Sequence, residues 1–544
     1  MPASRSSSPP IRRTLWLALL ALHLVALAGL LAWVLAQTRP QAMHDLHLAD
    51  GEKLRCVSYA PFHKPGQTPF DPNAFIAREQ IAADLAALAK ITGCVRLYSV
   101  DQGLHQVPEI AREVGLKVLL GAWIGYDRAK NAAELDRAIA LANDNIDVVR
   151  ALIVGNEVLL RRERTPEEMR ELIAHAKARV RVPVTYADVW EFWTRYDSLA
   201  DSVDFVTVHI LPFWEDEPVD IELALKHVAD IRSEVVRHFA GKTILIGETG
   251  WPSHGRQREA SKPSRVNQAR YVREFVHQAH AEGWDYNLIE AIDQPWKRRL
   301  EGTVGGYWGM LDADTLQPKF PLAGAVAERD SAQLPLIAGG VGAALALLVG
   351  LSVPGGRCVT RLTALAAVGA CGGLIAALHW EHAVVAYRDT LEWSVLGGVA
   401  LLAALLPLVL ARWNGTPLPA AEAAWRALRH GGHDAAALLG ALRGVLLFAA
   451  AVAALLLFVD SRYRDFPTLL YLLPALILGA LGWVERGGGR AERICAAVIA
   501  VSVIGRWLPE PANPQAVGWL LTGLGLALPM LRSIPRPAEH EQRQ

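Results

Sequence analysis

Hydrophobic and polar positions divide this chain into two regimes. Between Lys53 and Asp314, short apolar runs rich in Val, Ile and Leu alternate with stretches whose apolar residues recur at helical spacing. The runs are Arg55–Tyr59, Cys94–Tyr98, Lys117–Ala122, Ala151–Gly155, Val182–Tyr186, Phe205–His209, Thr243–Gly247 and Asn287–Ile292. One intervening stretch sets Ile81, Leu85, Leu88 and Ile91 at spacings of four and three, which is one face of a helix. Thr165-Pro166-Glu167-Glu168 predicts a helix start. Thr165 can cap it, Pro166 suits the first helical position, and Glu168 can reach back to the cap. Strands alternating with helices predict an α/β domain built on a parallel sheet. Eight such units have the size of a (β/α)8 TIM barrel. An open doubly wound sheet is the alternative, disfavoured because no glycine-rich phosphate loop follows the first run.

The second regime is Ala/Leu/Gly/Val-rich. Residues 14–36 form an apolar run after Arg12 and Arg13, with His23 as its only ionisable member. The run is long enough to span a bilayer and longer than the apolar core of a cleaved signal peptide, so it is expected to be a retained transmembrane anchor. Seven further spans are predicted at 334–353, 359–378, 393–411, 444–459, 467–484, 494–508 and 515–531. The expected organisation is a cytoplasmic tail (1–13), the anchor (14–36), the barrel (43–330), an all-α multi-span membrane domain of about seven helices (334–531) and a second cytoplasmic tail (532–544).

Composition sharpens this picture. Of 544 residues, 52% are apolar, and 55 basic side chains balance 55 acidic ones, which argues against a nucleic-acid partner. Arginines sort by alternate connections. One set holds Arg5, Arg12 and Arg13, the pair Arg357 and Arg361, the long 412–443 loop, Arg486, Arg490 and Arg493, and Arg532, Arg536 and Arg543. The other holds only Arg388, Arg462 and Arg464. The positive-inside rule then puts both termini in the cytoplasm and the barrel outside. For a bacterial-looking chain this means a multi-pass protein of the inner membrane with the barrel in the periplasm. Glu392 and Arg506 fall near predicted span ends, where they could snorkel to the interface. The 412–443 loop is too short for a nucleotide-sugar glycosyltransferase domain. Cys56 and Cys94 share the barrel; they could pair, but two buried small apolar side chains is the favoured expectation.

In a barrel of this kind the active site lies at the carboxyl ends of the strands. The fourth run ends Ile153-Val154-Gly155-Asn156-Glu157, and the seventh ends Gly247-Glu248-Thr249-Gly250-Trp251-Pro252. Two carboxylates over one site are what glycoside hydrolysis requires. With these motifs, with Val95-Arg96-Leu97-Tyr98-Ser99 and with Asp293-Gln294-Pro295-Trp296-Lys297, residues 53–330 resemble glycoside hydrolase family 17, the β-1,3-glucanase and β-glucan glucanosyltransferase family.

The resemblance implies a retaining double displacement without cofactor or metal, with Glu157 as general acid/base and Glu248 as nucleophile. Retention needs the carboxyl groups about 5–5.5 Å apart. Glu157 is expected to have a raised pKa, from desolvation and from the Glu248 charge. Asn156 would bond the sugar 2-hydroxyl, and Tyr98 would face the cleft. His209, Trp214, Trp251, Trp296 and Lys297 are candidate sugar contacts, each with core packing or a solvated surface as the alternative. Plant endoglucanases of the family carry further carboxylates after the eighth strand, where Gln294 and Gly305 stand here, which puts the acceptor, water or sugar, in question. The expected function is hydrolysis of β-1,3-glucan by a membrane-anchored enzyme. The alternatives are a transglycosylase of β-1,3/1,6-glucan synthesis, with a membrane glucan synthase as partner, and a non-catalytic glycan-binding or export subunit. The lipid bilayer and a β-glucan polysaccharide or oligosaccharide are the expected partners.

Overall fold

A computed structural model describes residues 10–46, 48, 51–353, 357–485 and 488–532. Arg5, Arg486, Arg536 and Arg543, with most of both predicted tails, lie outside the described residues. The chain divides into two units, Pro40–Val326 and Met1–Arg39 with Ala327–Gln544.

The first unit is a closed barrel of eight parallel strands in sequence order. They are β1 (Val57–Ser58), β2 (Cys94–Arg96), β3 (Lys117–Ala122), β4 (Val149–Asn156), β5 (Val184–Val189), β6 (Val206–His209), β7 (Ile244–Thr249) and β8 (Asp285–Leu288). Each overlaps one of the apolar runs. The eighth ends at Leu288, and residues 290–293 pair with 308–311 while Ala291 N still donates to Ser58 O on β1 (2.9 Å). Glu290 N donates to Trp308 O (3.0 Å) and Leu311 N to Ala291 O (2.9 Å). The helix Arg78–Leu88 buries Ile81, Leu85 and Leu88. Ile91 lies beyond its end, its carbonyl accepting from Leu54 N. At the helix Pro166–Lys177 the capping box forms, with Thr165 N donating to Glu168 Oε2 (3.0 Å) and Glu168 N to Thr165 Oγ1 (3.3 Å).

Strand register explains one departure from the sequence expectation. Val57 pairs with Val95, so the same parallel register sets Cys56 opposite Cys94, and the two form a disulfide rather than packing as free thiols. A second contact fixes β3 tightly against β2. A Cβ on Gly121 would lie 2.2 Å from Leu97 O, so only glycine fits.

The second unit is helical: Pro10–Gln37, Gln333–Ser352, Val359–Ala386, Thr390–Arg412, Ala435–Val459, Thr468–Glu485, Arg490–Trp507 and Pro514–Leu531. Among the described residues, six helices are long and apolar enough to cross a membrane, and a shorter apolar helix spans Thr468–Val484. Arg490–Trp507, predicted as a span over 494–508, falls outside both groups because it also carries Arg490, Glu492, Arg493 and Arg506. The 412–443 loop contains a short helix, Ala421–Arg429.

Charged groups in this unit turn inward more than the sequence suggested. Arg506 is 4% exposed and pairs with Glu510 instead of snorkelling, its partner lying one helical turn on. Arg443 Nη2 donates to Glu492 Oε1 at 2.8 Å, both side chains 2% exposed. Glu492 also accepts from the backbone N–H groups of Ala421 and Gly489. A buried pair with its remaining lone pairs satisfied avoids the desolvation cost of an isolated charge.

Candidate active site

Local backbone geometry aims the first carboxylate. β4 ends in a turn with Gly155 at φ +85° and Glu157 at φ +52°. A non-glycine residue held in the left-handed region is unfavourable and concentrates at functional sites. Glu157 N stays tied to Ala187 O on β5 (2.8 Å), so the strain points the side chain from a fixed rim. Glu248 lies within β7 and is buried.

β2 and the segment just after it supply two donors to Glu248. Arg96 on β2, 1% exposed, donates through Nη1 to Gly247 O (2.7 Å) and Glu248 Oε1 (3.2 Å), and through Nη2 to Asn156 Oδ1. Tyr98 Oη donates to Glu248 Oε1 at 2.9 Å and lies 2.9 Å from Ser58 Oγ. Burial and the Glu248 charge push the Tyr98 phenol well above its usual range, so it remains a donor. His209, at the end of β6, sits between the carboxylates. Its Nδ1 is 2.9 Å from Glu157 Oε1 and its Nε2 is 3.7 Å from Glu248 Oε1. Glu157, His209 and Glu248 each bring one polar atom within 4.8 Å of the others. Such a trio could gather a cation, but the Arg96 guanidinium already supplies positive charge there.

Electrostatics differ from expectation at Glu157. Burial does push its carboxyl up, but the His209 hydrogen bond and the charges of Arg161 and Arg96 outweigh burial and hold it below its ordinary value. The raised carboxyls lie around it. Burial lifts Asp188, at the end of β5, to about 6, with the Glu157 charge adding to the effect. Burial also lifts Glu290 to about 7, against the opposing charge of Lys297. Lys297 Nζ donates to Glu290 Oε2 at 2.8 Å. Burial works against the Lys297 charge, but Glu290 and Glu301 outweigh it and hold the ammonium above its usual value. Burial raises Glu301 as well, with the charges of Glu157 and Glu248 contributing.

The predicted site residues separate accordingly. Glu157, Glu248, Asn156, Tyr98 and His209 converge. Lys297 joins through Glu290, and Trp296, half-buried, donates Nε1 to Gln294 Oε1 (2.7 Å). Trp214 is half-buried and stacks on Trp308 with centroids 6.2 Å apart. Trp251 does not reach the cleft. It is 0% exposed, donates Nε1 to Lys262 O (3.0 Å) and packs edge-on to Phe213, so it is core and offers no face to sugar. Sequence reasoning missed Arg96, Asp188, Glu290 and Glu301. A charged residue within an otherwise apolar strand run was the available signal for Arg96 and Glu290. Two buried or part-buried carboxylates do follow β8, at Glu290 and Glu301. Gln294 is a structural residue, donating Nε2 to Ala60 O and Ile292 O.

Residues 56–309 match the family described as the BtgE/BtgC glycoside hydrolase domain. Similar proteins include a glucan 1,3-beta-glucosidase of Arthroderma benhamiae, 31% identical over 229 residues, covering 39% of this chain and 72% of that protein. The probable glucan endo-1,3-beta-glucosidase btgC of Aspergillus clavatus is 26% identical over 267 residues, covering 43% of this chain and 38% of its own. The chain thus spans well under two thirds of that second relative. Among solved structures, the glycoside hydrolase family 17 beta-1,3-glucanosyltransferase of Rhizomucor miehei is 24% identical, with a TM-score of 0.44, over 49% of this chain and 97% of that one.

Proposed function

The chain belongs to the BtgE/BtgC group of glycoside hydrolases, a family 17-like group, and from that premise we propose that it acts on β-1,3-glucan by a retaining double displacement. The observation that carries the reading is the pairing of Glu157 with Glu248, within 4.8 Å through one oxygen each, beneath a shared His209. This spacing suits retention, in which no water must fit between the carboxylates before the first step.

In that step a Glu248 oxygen attacks the anomeric carbon while Glu157, in the fraction of molecules where it holds a proton, passes that proton to the departing glycosidic oxygen. The C–O bond to the leaving sugar breaks and an ester to Glu248 forms. Arg96 and Tyr98 donate to the attacking carboxylate, orienting it and favouring its ionised form. In the second step Glu157 takes a proton from the incoming hydroxyl, which attacks the same carbon and releases Glu248. Water as acceptor gives hydrolysis, and a sugar hydroxyl gives transfer. Asn156, pinned by Arg96, is suited to the sugar 2-hydroxyl, and Trp214 and Trp296 offer apolar edges at the rim.

The cellular setting is part of the proposal. Apolar helices, the sorting of arginines between alternate connections, and a disulfide in the barrel together support an inner-membrane protein with its barrel in the oxidising periplasm. The full chain, incubated with linear β-1,3-gluco-oligosaccharides beside Glu248→Gln, tests the chemistry by product mass. Products that vanish in the variant are expected. Longer products beside shorter ones mark transfer, and shorter ones alone mark hydrolysis. A folded wild type that leaves every β-1,3-linked length intact overturns the assignment and favours a binding or export subunit.

A further inference from the structure

The loop that follows β1 presents a large aromatic ring to solvent. Phe70 is 66% exposed, although nothing in the barrel core requires it there. Its position is nevertheless fixed. Gln102 donates Nε2 to Asp71 O (2.7 Å) and Pro69 O (3.1 Å), bracketing Phe70 on both sides. Ile76 N donates to Gln102 O (2.9 Å), closing the loop further along. Gln102 itself is held at φ +55°, an unfavourable backbone for a residue with a side chain, and Gly103 beside it admits no Cβ because Ile76 O would lie 2.5 Å away. A strained, tightly seated anchor thus fixes the backbone on both sides of an exposed phenylalanine.

The ring has one neighbour that links it to the chemistry. Phe70 meets Trp296 at a centroid distance of 5.6 Å and an interplanar angle of 77°. Trp296 precedes Lys297, whose Nζ is bonded to Glu290 beside the catalytic pair. From Glu248 outward the order is therefore Glu290, Lys297, Trp296, Phe70. Two flat apolar faces meeting near a right angle make a corner that matches the C–H face of a pyranose ring, and pre-ordering both rings lowers the entropy cost of binding.

We propose that Phe70 and Trp296 form a stacking platform for a glucosyl unit of the β-glucan chain remote from the bond being broken. The platform rests on the reading of the barrel as a β-1,3-glucan enzyme and makes that enzyme sensitive to chain length. Short oligosaccharides end before reaching the corner, and longer ones gain a contact there.

The test measures kcat/KM of the full chain on β-1,3-gluco-oligosaccharides of increasing length for wild type, Phe70→Ala, Phe70→Leu and Phe70→Tyr. Phe70→Ala and Phe70→Leu should lose roughly three- to tenfold on the longest substrates, the scale of one aromatic contact, and nothing on the shortest cleaved one. Phe70→Tyr, which keeps the flat face, should behave as wild type. Equal activity of all four proteins at every length overturns the platform while leaving the enzyme assignment intact. A uniform loss at every length also overturns it, by assigning Phe70 to the loop's structure. A folded wild type inactive at all lengths overturns the enzyme assignment and the platform with it.

Discussion

Glu290→Gln tests how a buried carboxyl next to the catalytic pair shapes the pH dependence of the barrel. The side chain is 1% exposed, with Lys297 as its bonded cation and Oε1 without a hydrogen-bond partner. Its pKa rises from 4.5 to about 7, chiefly through burial. The folded state therefore holds this proton more tightly than the unfolded chain does. Stability from this group is full below about pH 4 and is lost as the pH climbs through about 7. At about 1.4 kcal/mol per pH unit, the loss is roughly 3 kcal/mol. Glutamine keeps the shape and removes the titration. Lys297 loses its bonded partner in the variant and keeps Glu301 as a facing carboxylate. Asp188 and Asp293, also raised by burial to about 6, contribute equally to both proteins and cancel in the comparison. The assay is urea-dependent pulse proteolysis of the barrel in detergent-solubilised full chain, at about pH 4.5 and about pH 8. Wild type should lose roughly 3 kcal/mol more than the variant between those conditions. Parallel pH profiles would refute the claim that Glu290 is protonated in the folded acid form.

Three further outcomes are expected. His209→Leu removes the strongest influence holding Glu157 low and leaves only Arg161 and Arg96 against burial. The alkaline limb of kcat/KM, which reports the free enzyme's acid, should move to higher pH, and a limb that stays put would contradict the assigned balance. Cys56→Ser with Cys94→Ser opens a loop of 38 residues and should cost about 2–4 kcal/mol in urea, with reduced wild type matching the double variant. Trp251→Ala should cost about 3–5 kcal/mol of barrel stability while the folded fraction keeps its KM, as a core residue requires; a KM effect without a stability effect would return Trp251 to the cleft.

The architecture was legible wherever burial wrote a period into the chain. Eight parallel strands, each buried by the helices outside and the packed barrel within, read as apolar runs, and the rim carboxylates followed from position after those runs. Residues whose role depends on another strand left weaker marks. Arg96 ends β2 in the middle of a motif used for the resemblance as a whole, yet its four partners come from β4, β6 and β7. His209 was ambiguous because one imidazole on a strand end looks the same whether it packs or bridges. Trp251 belongs to the most specific motif in the barrel and is nevertheless core, since the motif fixes both the catalytic strand and the packing beneath it. The pKa of Glu157 was misjudged because burial and the Glu248 charge were counted without the His209 hydrogen bond, which with the charges of Arg161 and Arg96 outweighs burial.

The two ends of the barrel segment are clipped to each other: Gln41 N donates to Val326 O (2.8 Å), Val326 N to Gln41 O (3.1 Å), and Leu46 N to Leu322 O (2.9 Å). Meanwhile Leu15, Trp16 and Leu19 of the first helix pack in a core whose other members begin at Ala364. Synthesis therefore imposes an order of assembly. The first helix is made before the helices it packs with, and the whole barrel segment, with both sides of its clip, lies between them in the chain. The remaining helices come last and complete the bundle. A segment whose entry and exit are adjacent can be lengthened, exchanged or removed between the two helices that flank it without moving either. That gives a glycoside hydrolase barrel a simple route into a chain whose remainder is a bundle of apolar helices.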